Sequence, residues 1–229
     1  MKCAIIISGI SGSGKSTVAT KLIEKRPEGY SLSRSATSRA RRAADEGKDE
    51  YLFISREEFL SRINSGDMAE HTEYSGNLYS TPKSELERIV SEGKCPVLVL
   101  DFNGVKSLKA TDLPFPVYAF YVYEHINVIE QRLYDRDLRV NPSVDALLTF
   151  QKRKQANICD YLDAPARVGL YDAYIENSSL DSCVSAVEYC LSALSGSVGG
   201  DAPAGVALSA ADKAAVADSL AAQAAEKAN

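Results

Sequence analysis

Long apolar runs are missing. No stretch approaches the roughly 18 to 20 apolar residues that span a bilayer, and the N-terminus has no basic segment followed by a cleavable apolar one. A soluble, cytoplasmic protein is therefore the expectation. Paired cysteines are missing too: Cys3, Cys95, Cys159, Cys183 and Cys190 are odd in number and form no CxxC. A disulfide framework or zinc site is not expected, and the thiols read as reduced and buried. Positive charge is in deficit, with 26 Lys plus Arg against 31 Asp plus Glu and a net charge of −5. That argues against a general nucleic-acid surface, so any anion must be met by a local cluster. His71 and His125 have no carboxylate or cysteine at ligand spacing. What is present is a chain of 229 residues with 45% hydrophobic content, enough for one domain with a buried core, or one with appendages.

Cys3 to Ser8 reads as a short buried strand of the kind found in parallel sheets. Val18, Leu22 and Ile23 then recur at helical spacing until Pro27. Pro96 to Asp101 predicts a second strand ending in a carboxylate, Pro116 to Tyr123 a third, and Tyr174 to Glu176 a last short one. Helices are predicted over Ile126 to Arg136, Val144 to Leu162 and Leu180 to Leu194. This alternation implies an α/β fold with a parallel central sheet covered on both faces, hence three layers. Residues 34–82, polar and dense in Arg and Tyr, read as an inserted subdomain. Residues 133–155 carry Arg136, Arg139 and Arg153 and read as a flap. Residues 196–229 read as a Gly-rich linker and an alanine-rich helical tail, with Ser209 and Asp212 as a cap and Leu208, Val216 and Leu220 as its apolar stripe.

Between the first strand and first helix lies Gly9-Ile10-Ser11-Gly12-Ser13-Gly14-Lys15-Ser16-Thr17, which fits the phosphate-binding pattern GxxxxGK[ST] in its strand-before, helix-after context. Glycines let the backbone wrap phosphate oxygens, and consecutive N–H groups of Ser11, Gly12, Ser13, Gly14 and Ser16 with the helix N-terminus supply positive charge. Lys15 is expected to reach the β and γ phosphates, Ser16 to ligate Mg²⁺, and Thr17 to support the α-phosphate end. The bland alternative is a flexible Gly/Ser turn. The loop alone does not separate a switch GTPase, a motor ATPase and a small-molecule kinase, although no guanine-reading NKxD sequence is present.

The remaining motifs separate them, because the chain resembles the guanylate kinase family of nucleoside monophosphate kinases. Ser35-Ala36-Thr37-Ser38-Arg39-Ala40-Arg41-Arg42 resembles the family's S-x-T-T-R-x-P-R, with Tyr51 and Phe53 in place of its Y-x-F. Glu70 to Thr81, "EHTEYSGNLYST", resembles E-x-x-x-x-x-G-N-x-Y-G-[ST], and Asp101 to Gly104 resembles D-x-Q-G. The likeness runs over residues 3–190. It implies a domain 1–195 made of a core (1–33 and 83–195), a nucleotide-binding insert (34–82) and a lid (133–155), with ATP as phosphoryl donor, Mg²⁺, and GMP or dGMP as acceptor. It further implies a clamp of Ser35, Arg39, Arg42, Tyr51 and Tyr79 on the acceptor phosphate. Glu70 would take the guanine N1–H and amine, Thr81 its O6, and Asp101 either the base or a Mg²⁺ water. Arg132, Arg136 and Arg153 fall at the lid arginines, and with Lys15 are the implied catalytic residues. No membrane or nucleic acid is implied.

The chain departs from the family pattern in several places. Arg41 replaces a proline, Ser80 a glycine, Val99 an additional acid, and Lys83 a common hydroxyl. Ser33 competes with Ser35 for the phosphate. A kinase for another nucleoside monophosphate, and a non-catalytic binding module of the same family, remain open readings. So do packing roles for Tyr51 and Tyr79, a surface role for Glu70 and a solvated face for the arginines.

Overall fold

An apolar run too short for a membrane becomes a central strand instead. In the computed structural model Ala4–Ser8 form β1, every residue buried. The structure describes residues 2–41, 51–74, 76–139, 142–197 and 202–228. After β1 come α1 (Lys15–Lys25), β2 (Tyr30–Leu32), β3 (Ser35–Thr37), β4 (Tyr51–Phe53), α2 (Arg56–Asn64), β5 (Met68–Tyr74), β6 (Asn77–Pro82), α3 (Lys83–Ser91), β7 (Cys95–Val99) and α4 (Phe102–Lys109). Then follow β8 (Val117–Tyr123), α5 (Ile126–Tyr134), a π-helical turn (Asp135–Arg139), α6 (Val144–Leu162), α7 (Ala164–Arg167), β9 (Ala173–Glu176), α8 (Leu180–Leu194), β10 (Val206–Ala207) and α9 (Ala210–Ala228). The fold is α/β with mostly parallel strands in its larger sheet, as the alternation predicts. Among the described residues no helix is long and apolar enough to cross a membrane.

The chain divides into two compact units, Met1–Ile7 with Ala19–Tyr118, and Ser8–Val18 with Ala119–Asn229. In the first, β7 pairs in parallel with β1 (Ile5 opposite Val97) and β2 (Tyr30 opposite Cys95). A four-stranded sheet in the order β4-β3-β6-β5 follows from the inserted residues. One face buries Ala36, Met68 and Leu78 against Phe59 of α2. Ser55 caps that helix by accepting from Glu58 N–H at 3.1 Å. Because side chains alternate along a strand, Ser35, Thr37, Tyr51, Phe53, Tyr79 and Thr81 share the opposite face.

In the second unit, β8 and β9 run parallel, and β10 adds antiparallel to β9 (Val206 opposite Ile175). Tyr121, Tyr171 and Tyr174 pack together with ring centroids 4.9 to 5.6 Å apart.

Four expectations change. The second strand stops at Val99, and Asp101 instead caps α4, accepting from Gly104 N–H at 2.8 Å. The helix from Ile126 ends at Tyr134, so Arg136 belongs to the π-helical turn. Helix α9 buries Ala217, Leu220 and Ala224 rather than a Leu208–Val216–Leu220 stripe, because small side chains let it approach α6 and α7 closely. Cys159 is exposed, whereas the other four cysteines are buried thiols.

Candidate functional site

The loop after β1 needs its glycines. Gly9 has φ +147°, and a Cβ there would lie 2.3 Å from the Val122 carbonyl oxygen; Gly14 has φ +91°, and its Cβ would lie 2.3 Å from Asn177 Nδ2. Helix α1 starts at Lys15, so its first-turn amides have no partners within the helix. Ser11, Gly12, Gly14, Lys15, Ser16 and Thr17, with Arg132 and Arg136, line a cleft of about 260 Å³. Ser13, fully buried, has a hydroxyl with no hydrogen-bond partner among the described residues.

Two asparagines hold the loop from behind. Asn157 of α6 accepts from Ser11 N–H at 3.1 Å and donates to Ser11 C=O at 2.8 Å, while Asn177, just past β9, donates to Ser13 C=O at 2.7 Å. Lys15 Nζ donates to Ile10 C=O at 3.2 Å. Sequence patterns do not single out these asparagines, since their partners lie 146 and 164 residues away.

The arginines expected over the cleft separate into two groups. Arg132 donates to Glu124 Oε2 at 3.4 Å and Asn177 C=O at 3.3 Å. Arg136 reaches Ser11 Oγ at 3.5 Å and Asp137 at 2.9 Å. Arg153 does not line the cleft; its Nη1 donates to both oxygens of Asp137, at 2.7 and 2.6 Å. Burial alone would raise the Asp137 carboxyl, but hydrogen bonds from Arg136 and Arg153 overcome it and hold the group below its ordinary value. Arg139 is exposed and paired with Asp135.

The second candidate cluster sits on the outer face of the four-stranded sheet. Here β5 carries a bulge between Met68 and Glu70. Without it these residues would point the same way. With it Met68 enters the core, while Glu70 sits opposite Thr81 on the face of Tyr79. Glu70 is 5% exposed; its Oε1 accepts from Thr81 Oγ1 at 2.9 Å, and its Oε2 has no hydrogen-bond partner among the described residues. Burial first, then the charge of Asp101, push its carboxyl up to about 7 despite the Thr81 hydrogen bond.

Beside it, the Arg39 guanidinium lies 4.9 Å from the Tyr51 ring centroid and 5.1 Å from Phe53, and Tyr51 meets Tyr79 edge-on at 6.3 Å. Ser35 stands opposite Tyr51 in the β3–β4 ladder and is half-buried. Ser33 is buried, and its hydroxyl has no hydrogen-bond partner among the described residues. Arg42 lies outside the described residues. Arg34 stands apart from this cluster: with Arg88 it grips Glu85, whose carboxyl burial would raise but these hydrogen bonds hold at about 2.

Among the described residues no group of three or more His, Cys, Asp and Glu could hold a metal. An ion held by one hydroxyl and nucleotide phosphates needs no such cluster, and the exposed Ser16 in the cleft wall suits that mode.

Comparison with known proteins meets this geometry. Residues 1–194 match the family model "Guanylate kinase". The guanylate kinases of Sus scrofa and Homo sapiens are 36% and 35% identical over 188 residues, covering 82% of this chain and 91% of each relative. That of Clostridium perfringens (strain SM101 / Type A) is 34% identical over 189 residues, covering 82% of this chain and 81% of the relative. In fold, the chain is similar to the crystal structure of guanylate kinase from Anaplasma phagocytophilum, with TM-score 0.58 and 24% identity over 84% of this chain and 86% of that one. With two relatives above 34% identity across nine-tenths of their length and a family model spanning both candidate clusters, this chain belongs to the guanylate kinase family.

Proposed function

We propose that the protein transfers the γ-phosphoryl group of ATP directly to GMP, giving ADP and the diphosphate, in the cytoplasm, where its five cysteines stay thiols. The observation that carries the reading is Glu70, a buried carboxylate with one oxygen on Thr81 and the other unoccupied, on the face that bears Arg39, Tyr51 and Tyr79. An ionised carboxylate there accepts from the guanine N1–H and amine together, a pairing adenine and the pyrimidines lack. Thr81, whose hydroxyl already donates to Glu70, would have to turn to serve guanine O6. Arg39, Tyr51, Tyr79 and a serine would hold the acceptor phosphate, Ser33 being favoured over Ser35 by its unpartnered buried hydroxyl. Arg42 would complete that clamp.

Residues 34–82 would then form the acceptor-binding insert and 133–155 the lid of a kinase domain spanning 1–195. On the donor side, the amides of Gly12, Gly14, Lys15 and Ser16 would cradle the phosphates, those of Ser11 and Ser13 being held by Asn157 and the Ile10 carbonyl. Lys15 would exchange the Ile10 carbonyl for phosphate oxygens, and Arg132 and Arg136 would spread positive charge over the transferring group. Asp137 would present Arg136 and keep Arg153 in reserve nearby. Ser16 would hold Mg²⁺, which when bound neutralises charge on the β and γ phosphates. Asp101, exposed and occupied as a cap, would reach the site through its second oxygen. No side-chain base is needed, since the acceptor phosphate is already an anion.

Turnover against GMP, dGMP, AMP, UMP, dUMP and dTMP, read by ADP release, tests the reading. GMP or dGMP is expected to exceed the others in kcat/KM by about a hundredfold or more. Equal rates across the panel, or none with any, would overturn it.

A further inference from the structure

The C-terminal segment from Ser195 onward lies beyond the family match, which stops at residue 194, yet it is built into the second unit. Glu176 N–H donates to Gly205 C=O at 2.8 Å, β10 extends the sheet, and Ser209 caps α9. From α9, Lys213 Nζ donates to Tyr171 C=O at 2.9 Å and Lys227 Nζ to Glu130 Oε2 at 3.0 Å. Glu130 lies on α5 and is shared: its other oxygen is 3.3 Å from Lys154 of α6. Gln223 does something more specific. Its Oε1 accepts from Ile126 N–H at 3.1 Å, the first amide of α5. The next amide, Asn127 N–H, is met by His125 Nδ1 at 3.2 Å. A helix N-terminus leaves such donors without intrahelical partners, so here the appended helix supplies the cap.

Helix α5 is the one that carries Arg132 into the loop cleft and leads into the turn that carries Arg136. Its first turn packs Ile126 and Ile129 into the core, and polar contacts from α9 add to that packing. A cavity of about 350 Å³, bordered by Tyr123, His125, Glu176, Val216, Leu220 and Gln223, runs along the seam with α9. Along that open seam, the Gln223 hydrogen bond to Ile126 N–H supplies a directional contact that packing there does not.

We infer that Gln223 is a positioning residue for the phosphoryl-transfer site: by capping α5, with Lys227 on Glu130 as a second tie, α9 braces the helix that aims Arg132 and Arg136. The inference rests on the proposed donor site. A rigid α5 holds the two guanidiniums within reach of the transferring group before ATP arrives, and a loosened one must be ordered by ATP itself.

The test uses the full chain with Gln223→Met, which keeps the volume but removes the acceptor, and Gln223→Glu, which keeps an acceptor and places negative charge at the helix N-terminus. Gln223→Met is expected to lower kcat/KM for ATP about fivefold, with KM for GMP unchanged, and to speed amide exchange at Ile126 about fivefold in nucleotide-free protein. Gln223→Glu is expected to match the unmodified protein in both. Lys227→Met, which cuts the second tie without touching the cap, is expected to lower kcat/KM for ATP in the same direction. Equal kinetics for Gln223→Met and the unmodified chain would overturn the inference, as would an equal loss in Gln223→Glu. Should the unmodified chain turn over no nucleotide, the kinase reading fails by itself. The exchange arm still judges the brace: faster exchange in Gln223→Met alone supports it, and equal exchange overturns it.

Discussion

On the proposed reading, the donor loop and the acceptor face would grip anions by different means. The loop is backbone: a glycine-permitted curl whose shape leaves no room for a Cβ at Gly9, beside the Val122 carbonyl, or at Gly14, beside Asn177. The acceptor face is side chains: Arg39, Tyr51, Glu70, Tyr79 and Thr81 come from three strands and the β3–β4 connection, and meet only because of strand register. A backbone site tolerates few changes in shape and carries little base information. A side-chain site carries the specificity and is re-aimed by one bulge.

Removing Lys15 should give the largest effect. Lys15→Ala is expected to lower kcat by a few hundredfold, about 3 to 4 kcal/mol, with unchanged thermal unfolding, as measured by ADP release and calorimetry. An equal loss of stability would mean that the lysine serves the loop's shape rather than the phosphate.

A stability titration sharpens the other half. The Glu70 carboxyl sits at about 7 in the folded chain against an ordinary 4.5, so the folded state holds an extra proton between those values. Its contribution is complete below pH 4.5 and is lost as pH rises through 7, about 3 kcal/mol in all. Denaturant titrations of unliganded protein should show this slope in the native chain but not in Glu70→Gln. Gly14→Ala should weaken ATP binding by about tenfold or more while leaving GMP binding intact, because the new Cβ displaces Asn177 from the loop. Comparable weakening of both would break the distinction between the two sites. Smallest, Asp137→Asn should change kcat by about fivefold, since it loosens Arg136 and Arg153 without deleting either.

Legibility in the sequence follows the same division. The loop, α6 and α8 were readable because glycine spacing, caps and helical periodicity are local signals. The bulge that turns Glu70, the asparagines behind the loop and Asp137 between two arginines depend on long-range contact or on a break in periodicity. The resemblance supplied Glu70 as a candidate; the geometry supplies the reason it faces Thr81 and not the core. Helix α9 was legible as a helix, but its docking was not, because alanine carries almost no hydrophobic pattern.

The most direct measurement is KM for GMP and for ATP from pH 6 to 8, in the native chain and in Glu70→Gln. On the proposed reading guanine recognition needs the ionised carboxylate, so the native KM for GMP should fall about tenfold across that range relative to Glu70→Gln, in which titration of the substrate's own phosphate remains. The variant should also raise KM for GMP at least tenfold at pH 8, with KM for ATP unmoved. Parallel pH profiles for GMP in the two proteins, or equal rises in both KM values, would contradict the account.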